Sequence, residues 1–148
     1  MIGQLYQSLY MSTQNEYIVF YFQAAKRRQS CVVEKCLCPT PDVLDCSGKR
    51  LQYFNSVNSA TGEIKVLKLS RNNLKDVPDL SLFTKLHTLD LSYNNITSLP
   101  VGVFQSVPLL VDLDISFNNL VLSGKTVTVE SFQGLANLKI LRYVSPKN

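Results

Sequence analysis

Three stretches decide the reading of this chain: Ile64-Lys-Val-Leu-Lys-Leu-Ser-Arg-Asn-Asn-Leu74, Leu86-His-Thr-Leu-Asp-Leu-Ser-Tyr-Asn-Asn-Ile96 and Leu110-Val-Asp-Leu-Asp-Ile-Ser-Phe-Asn-Asn-Leu120. Laid over one another they read LxxLxLxxNxL, with Ile allowed for Leu, and Asn72, Asn94 and Asn118 stand 22 and then 24 residues apart. Self-similarity at such a period marks a repeat architecture. No unit can bury its apolar side alone, so neighbours stack into a continuous core as a solenoid. Within xLxLx the apolar residues alternate with variable ones, as a strand with one buried face requires. Leu67 and Leu69, Leu89 and Leu91, and Leu113 and Ile115 therefore point inward, and Leu74, Ile96 and Leu120 re-enter the core beyond the turn. Asn72, Asn94 and Asn118 stand where the chain turns inward and read as a structural ladder. Their amides would satisfy backbone groups that each cost about 1–3 kcal/mol if buried unpaired.

The return path repeats as well. Leu80xxPhe83xxLeu86, Phe104xxVal107xxLeu110 and Phe132xxLeu135xxLeu138 place an apolar group at every third residue, a spacing that suits short 3₁₀ turns. Two departures stand out. From Leu113 to Leu141 is 28 residues, with the excess held in Ser123-Gly-Lys-Thr-Val-Thr-Val-Glu130, and extra residues in a solenoid unit bulge outward as a loop. The last unit, Leu138-Lys-Ile-Leu-Arg-Tyr-Val-Ser-Pro146, has Pro at the asparagine position. No cysteine cap follows it, so the chain reads as a fragment, a truncated gene product or an atypical short form, with its last turn left open for association through that end.

All four cysteines lie within sixteen residues, as Cys31, Cys36, Cys38 and Cys46. The gaps of four, one and seven residues do not form the CxxC knuckles of structural zinc, and no His lies nearby. The expectation is therefore a disulfide framework without metal, for which sequence alone permits three connectivities. A cap is also a physical need, because the first coil would otherwise expose the apolar end of the stack. A cap of this length is too short to hold itself by core packing, so crosslinks take over.

Set directly before the repeats, this cysteine pattern resembles the N-terminal cap of extracellular leucine-rich repeat proteins, with Val43-Leu-Asp-Cys-Ser-Gly-Lys-Arg-Leu51 resembling its strand. Leu99-Pro-Val-Gly-Val-Phe104 resembles the LPxGxF segment of animal extracellular repeats. The resemblance covers residues 31–145 and extends to Toll-like receptors, variable lymphocyte receptors, glycoprotein-hormone and relaxin-type receptors, and small proteoglycans. It implies Cys31–Cys38 and Cys36–Cys46 pairing, and thus an oxidising compartment, outside the cell or at its surface. It also implies an α/β repeat solenoid, with a parallel β-sheet on the concave face and short 3₁₀ or helical turns on the convex face. The expected organisation is an N-terminal extension (1–30, a partial leader or disordered), a cysteine-rich cap (31–54) and repeats (55–148, three full and one partial).

Composition narrows the function. The chain has 148 residues, 45% of them hydrophobic and 18% charged, with a net charge of +4. Lys26, Arg27 and Arg28 form the only basic cluster, too little for a nucleic-acid footprint. No apolar run approaches the roughly 18 residues of a membrane span, so a membrane tether would have to lie in further sequence. Tyr17-Ile-Val-Phe-Tyr-Phe22 is followed by its basic residues instead of preceded by them, which is the wrong order for a signal peptide. There is no nucleotide loop, acid/base pair or nucleophile motif, so neither enzymatic activity nor a cofactor is expected, and His87 reads as a surface residue.

A protein ligand is expected on the concave face. Its solvent-facing strand positions are Val66, Lys68 and Arg71, Thr88, Asp90 and Tyr93, Asp112, Asp114 and Phe117, then Ile140 and Arg142. They form the columns Lys68–Asp90–Asp114–Arg142 and Arg71–Tyr93–Phe117. Exposed Tyr, Phe and Arg in one row resemble a binding hot spot. Lys68 is placed to pair with Asp90, and Asp90 and Asp114 to bond neighbouring strands. Asn95-Ile96-Thr97 is an N-glycosylation sequon whose Asn95 should face solvent. The function this implies is a protein-binding module of a receptor ectodomain or secreted recognition protein, with an extracellular-matrix adhesion protein as the alternative.

Overall fold

The computed structural model describes residues 35–55, 59–121 and 126–144; the 1–30 extension and Cys31 lie outside them. Five three-residue strands follow the sequence repeat: β1 Val43–Asp45, β2 Val66–Lys68, β3 Thr88–Asp90, β4 Asp112–Asp114 and β5 Ile140–Arg142. They form one sheet in chain order, every neighbour parallel. The register stacks Leu44, Leu67, Leu89, Leu113 and Leu141 at the centre of successive strands. The first four are fully buried, whereas Leu141 is 46% exposed. Each buried leucine is worth roughly 1.5–3 kcal/mol, so the stack helps bind each strand to the next within the continuous core.

Parallel hydrogen bonding runs on past each strand. The N–H groups of Cys46, Leu69, Leu91 and Ile115 donate to the carbonyls of Lys68, Asp90, Asp114 and Arg142 at 2.8–3.0 Å. Two residues later Gly48, Arg71, Tyr93 and Phe117 donate to Ser70, Ser92, Ser116 and Val144 at 2.7–3.0 Å. The ladder asparagines then close the turn. Asn94 Oδ1 accepts from Leu74 N–H (3.0 Å), while its Nδ2 donates to the carbonyls of Leu69 (2.9 Å) and Leu91 (3.0 Å). Asn118 does the same with Ile96 N–H, Leu91 and Ile115. Asn72 accepts from Lys49 and Leu51 and donates to Cys46 and Leu69. Each amide thus binds its own turn to the preceding unit, and all three are buried.

Opposite the sheet, each apolar residue of the three-residue spacing donates its N–H to the one before it: Phe83 to Leu80, Leu86 to Phe83, Val107 to Phe104, Leu110 to Val107, Leu135 to Phe132 and Leu138 to Leu135. These bonds span three residues, as in a 3₁₀ helix, and true 3₁₀ turns form at Ser59–Glu63 and Val129–Phe132. There is no α-helix among the described residues. Phenylalanines fill this side of the core, Phe54 against Phe83 (6.2 Å between ring centroids) and Phe104 against Phe132 (6.3 Å).

Part of the long third unit packs against its predecessor. Leu99 N–H donates to Thr126 and its carbonyl accepts from Ser131 Oγ (2.6 Å), which docks the Thr126–Phe132 segment onto the unit before it. At the front of the sheet, Leu37 and Asp45 exchange both backbone hydrogen bonds in an antiparallel bridge (2.7 and 2.8 Å). That bridge covers the outer edge of β1, an edge otherwise open to pairing with other chains. A Cys36–Cys46 disulfide fastens it. Cys31–Cys38 pairing involves a residue outside those described.

Candidate functional site on the open sheet face

Alternation within each strand leaves the residues flanking the central leucine on the face away from the core. Pairing in register brings Asp45, Lys68, Asp90, Asp114 and Arg142 into one column. The sequence column thus gains a member, Asp45, contributed by the cap strand. The ion pairs differ from the expected one. Lys68 Nζ lies 3.9 Å from Asp45, and no salt bridge joins it to Asp90 among the described residues. Arg142 reaches along the diagonal to both carboxylate oxygens of Asp112.

Among the described residues, no hydrogen bond joins the Asp90 or Asp114 side chain to another strand either. Asp90 Oδ1 accepts from the N–H and hydroxyl of Ser92 (2.9 and 2.6 Å), and Asp114 Oδ1 from Ser116 N–H (2.9 Å). These local turns hold each carboxylate at a fixed place on the face, and neither forms a salt bridge among the described residues. Asp45 is held in the same way by Ser47 N–H (3.0 Å). Partial burial acts to raise its pKa, but the Ser47 hydrogen bonds and the nearby Lys68 and Lys49 together keep it below the ordinary 3.8. The Arg142 guanidinium is pushed further toward its charged form, first by hydrogen bonding to Asp112 and then by the charges of Asp112, Asp114 and Asp90.

Next to this column runs a row at the position just before the ladder asparagine. Arg71, Tyr93 and Phe117 all have positive φ (56°, 54° and 54°), a region bulky L-residues rarely enter. The backbone holds them there, because each donates its N–H to the following unit and is succeeded by a buried, bonded asparagine. Their side chains project outward and meet. The Tyr93 and Phe117 rings stack with centroids 4.3 Å apart and planes 13° from parallel. Arg71 Cζ sits 5.0 Å from the Tyr93 centroid, within cation–π range. Tyr93 remains 46% and Phe117 38% exposed. Beside Phe117 lies a shallow depression of about 450 Å³ bordered by Asp114, Leu141, Arg142, Tyr143 and Val144.

The sequence columns did not include Leu141, Tyr143 and Val144. Leu141 and Val144 are 46% and 48% exposed and Tyr143 is half-buried, a property that pattern matching does not show. His87 Nδ1 lies 2.6 Å from the Lys85 carbonyl oxygen and joins no titratable cluster. Asn95 and Thr97 are exposed. No group of His, Cys, Asp and Glu able to hold a metal occurs among the described residues.

Comparison with known proteins fits this geometry. The model of the family described as "Leucine rich repeat" matches residues 62–120. Those residues are leucine-rich repeats. Podocan-like protein 1 of Mus musculus is 37% identical over 90 residues, covering 58% of this chain and 16% of that protein. Toll-like receptor 2 of Macaca mulatta is 35% identical over 109 residues, covering 73% of this chain and 14% of the receptor. The repeat chain thus spans less than a fifth of either relative. Among solved structures, an internalin (inlF) from Listeria monocytogenes superposes with a TM-score of 0.51 at 19% identity, over 70% of this chain and 35% of its own. That likeness speaks for the leucine-rich repeat fold alone.

Proposed function

We propose that this chain is a non-enzymatic protein-binding module of a cell-surface or secreted recognition protein of receptor type. Its ligand would be a protein seated on the concave sheet face, against Lys68, Arg71, Asp90, Tyr93, Asp114, Phe117 and Arg142. The stacked Tyr93–Phe117 pair carries this reading. Two large rings lie in solvent on rigid backbone, and each occupies a conformation costing of order 1–3 kcal/mol that Asn or Gly would adopt more easily. Nothing in the core requires an aromatic there, whereas buried aromatics and arginines are what dominate binding energy at interfaces. The Cys36–Cys46 disulfide supports an oxidising compartment, and a relative named as a receptor supports the receptor type. No helix among the described residues is long and apolar enough to cross a membrane. The division into extension, cap and repeats at residues 30 and 54 belongs to the same proposal, as does glycosylation at the exposed Asn95.

The test is a binding screen of the full chain against an array of recombinant ectodomains, with each hit remeasured on Tyr93→Asn and Phe117→Asn variants. Asn tolerates the left-handed backbone, so folding should survive. Each substitution should weaken a true ligand by about 30-fold or more, the scale of a hot spot. Hits whose affinity ignores both substitutions would sink the concave-face assignment.

A further inference from the structure

The aromatic row is closed at one end and open at the other. At Tyr93 the chain supplies its own guanidinium, Arg71, stacked at 5.0 Å. At the far end Phe117 borders the depression, whose rim carries the Asp114 carboxylate, held by Ser116, and the Arg142 guanidinium. Four charged groups stand on the strands around this end: Asp90, Asp112 and Asp114 against the single guanidinium of Arg142, which is already engaged by Asp112. The whole chain carries +4, yet this corner carries more carboxylates than cations. Arg71 is on the opposite side of Tyr93, and Lys68 is drawn toward Asp45.

Resting on the protein-recognition reading above, we infer that the depression beside Phe117 receives an arginine side chain of the partner protein. Its guanidinium would lie on the Phe117 ring and face Asp114, with Asp90 one strand further along the same column and an adjacent apolar partner residue against Leu141 and Val144. The chemistry is specific to arginine. A planar, weakly hydrated guanidinium stacks on an aromatic face and pairs with a carboxylate at once, which a compact, strongly hydrated ammonium does less well. Charge complementarity selects the occupant: with Arg142 engaged by Asp112, a neutral or acidic side chain would leave the Asp114 carboxylate facing it without a counter-charge. The site is also built before any partner arrives. Both carboxylates are pinned by Ser92 and Ser116, and the ring is held by Tyr93 and by backbone bonding, so little side-chain freedom remains to be lost.

A library of random twelve-residue peptides displayed on phage, panned against the immobilised full chain, tests this. The chain must be made without glycosylation, because Asp90→Asn and Asp114→Asn would each complete an N-x-S sequon. These substitutions keep the oxygen that accepts from Ser92 or Ser116 and remove only the charge. Enriched peptides should carry Arg next to an apolar residue, and replacing that Arg by neutral citrulline should weaken binding about tenfold or more. The double Asp90→Asn, Asp114→Asn variant should lose a similar factor, and affinity should fall as salt rises. Neutral or acidic peptides that bind in a manner dependent on Tyr93 and Phe117 would overturn the arginine pocket while leaving protein recognition on this face standing. No enrichment, or peptides indifferent to both the aromatic and the carboxylate substitutions, would overturn the two together.

Discussion

Replacing Asn94 by Ala isolates what the ladder contributes, because each of its bonds can be followed to a named partner. Three carbonyls lose a donor, but each keeps another: Leu69 retains the Asn72 amide, Leu91 the Asn118 amide, and Ser92 the Arg71 N–H. Leu74 N–H has Asn94 Oδ1 as its acceptor, in a buried setting. One orphaned buried donor costs about 1–3 kcal/mol, and three carbonyls reduced to a single bond add a smaller sum. The expected loss is therefore about 2–4 kcal/mol, which would lower a urea midpoint by roughly 1–2 M at the slopes typical of small domains. The control is Asn95→Ala on the adjacent exposed side chain, expected within about 0.5 kcal/mol. Asn94→Asp should be at least as harmful as Ala, since it keeps the acceptor but turns a buried carboxylate toward carbonyls. Urea unfolding followed by circular dichroism, disulfides intact, measures all three. An Asn94→Ala loss below about 1 kcal/mol, or one no larger than that of Asn95→Ala, would refute the ladder argument.

Removing the cap crosslink as Cys36→Ser with Cys46→Ser opens a loop of sequence separation 10, and a stability loss of about 3 kcal/mol is expected in the same urea assay; an unchanged midpoint would mean the cap holds without it. Asp45 has a depressed folded pKa, so its contribution is present above its ordinary 3.8 and is lost as pH falls from there through its lower folded value. The stability gap between the unglycosylated protein and its Asp45→Asn variant should accordingly be larger at pH 7 than at pH 3, and a gap independent of pH would contradict the assignment. When the chain is made in a secretory pathway, Asn95 should carry a glycan removable by an N-glycosidase, and Thr97→Ala should abolish it; a mass identical to that of the bare polypeptide before treatment would refute this.

The strands and the ladder were legible because two periodicities coincide, alternation within a strand and recurrence every 22–24 residues, and few alternatives satisfy both. What stayed hidden was the choice among equally spaced partners. Register places Lys68 between Asp45 and Asp90, and the sequence offers no means of ranking them. Asp90 and Asp45 are each held by a serine two residues ahead, so local bonding does not rank them either. Arg142 sits directly opposite Asp114, yet its length lets it span the diagonal to Asp112. The Leu37–Asp45 bridge was invisible for a different reason. It is antiparallel and lies outside the repeat, so no period marks it.

The positive φ angles of Arg71, Tyr93 and Phe117 were hidden as well, since none of these residue types favours that region, and they bear most directly on function. The conformation is imposed by neighbours: an N–H bonded forward to the next unit and an asparagine bonded backward to the last one. Backbone geometry at this slot is therefore fixed largely independently of which side chain occupies it. A side chain that points outward and contributes nothing to the core can change without unfolding the coil. The fold thus separates two tasks within consecutive residues, with the asparagine securing the stack and the residue before it free to vary in chemistry. In this chain those free slots hold a guanidinium and two stacked rings, a combination that folding does not require and that a protein surface can engage.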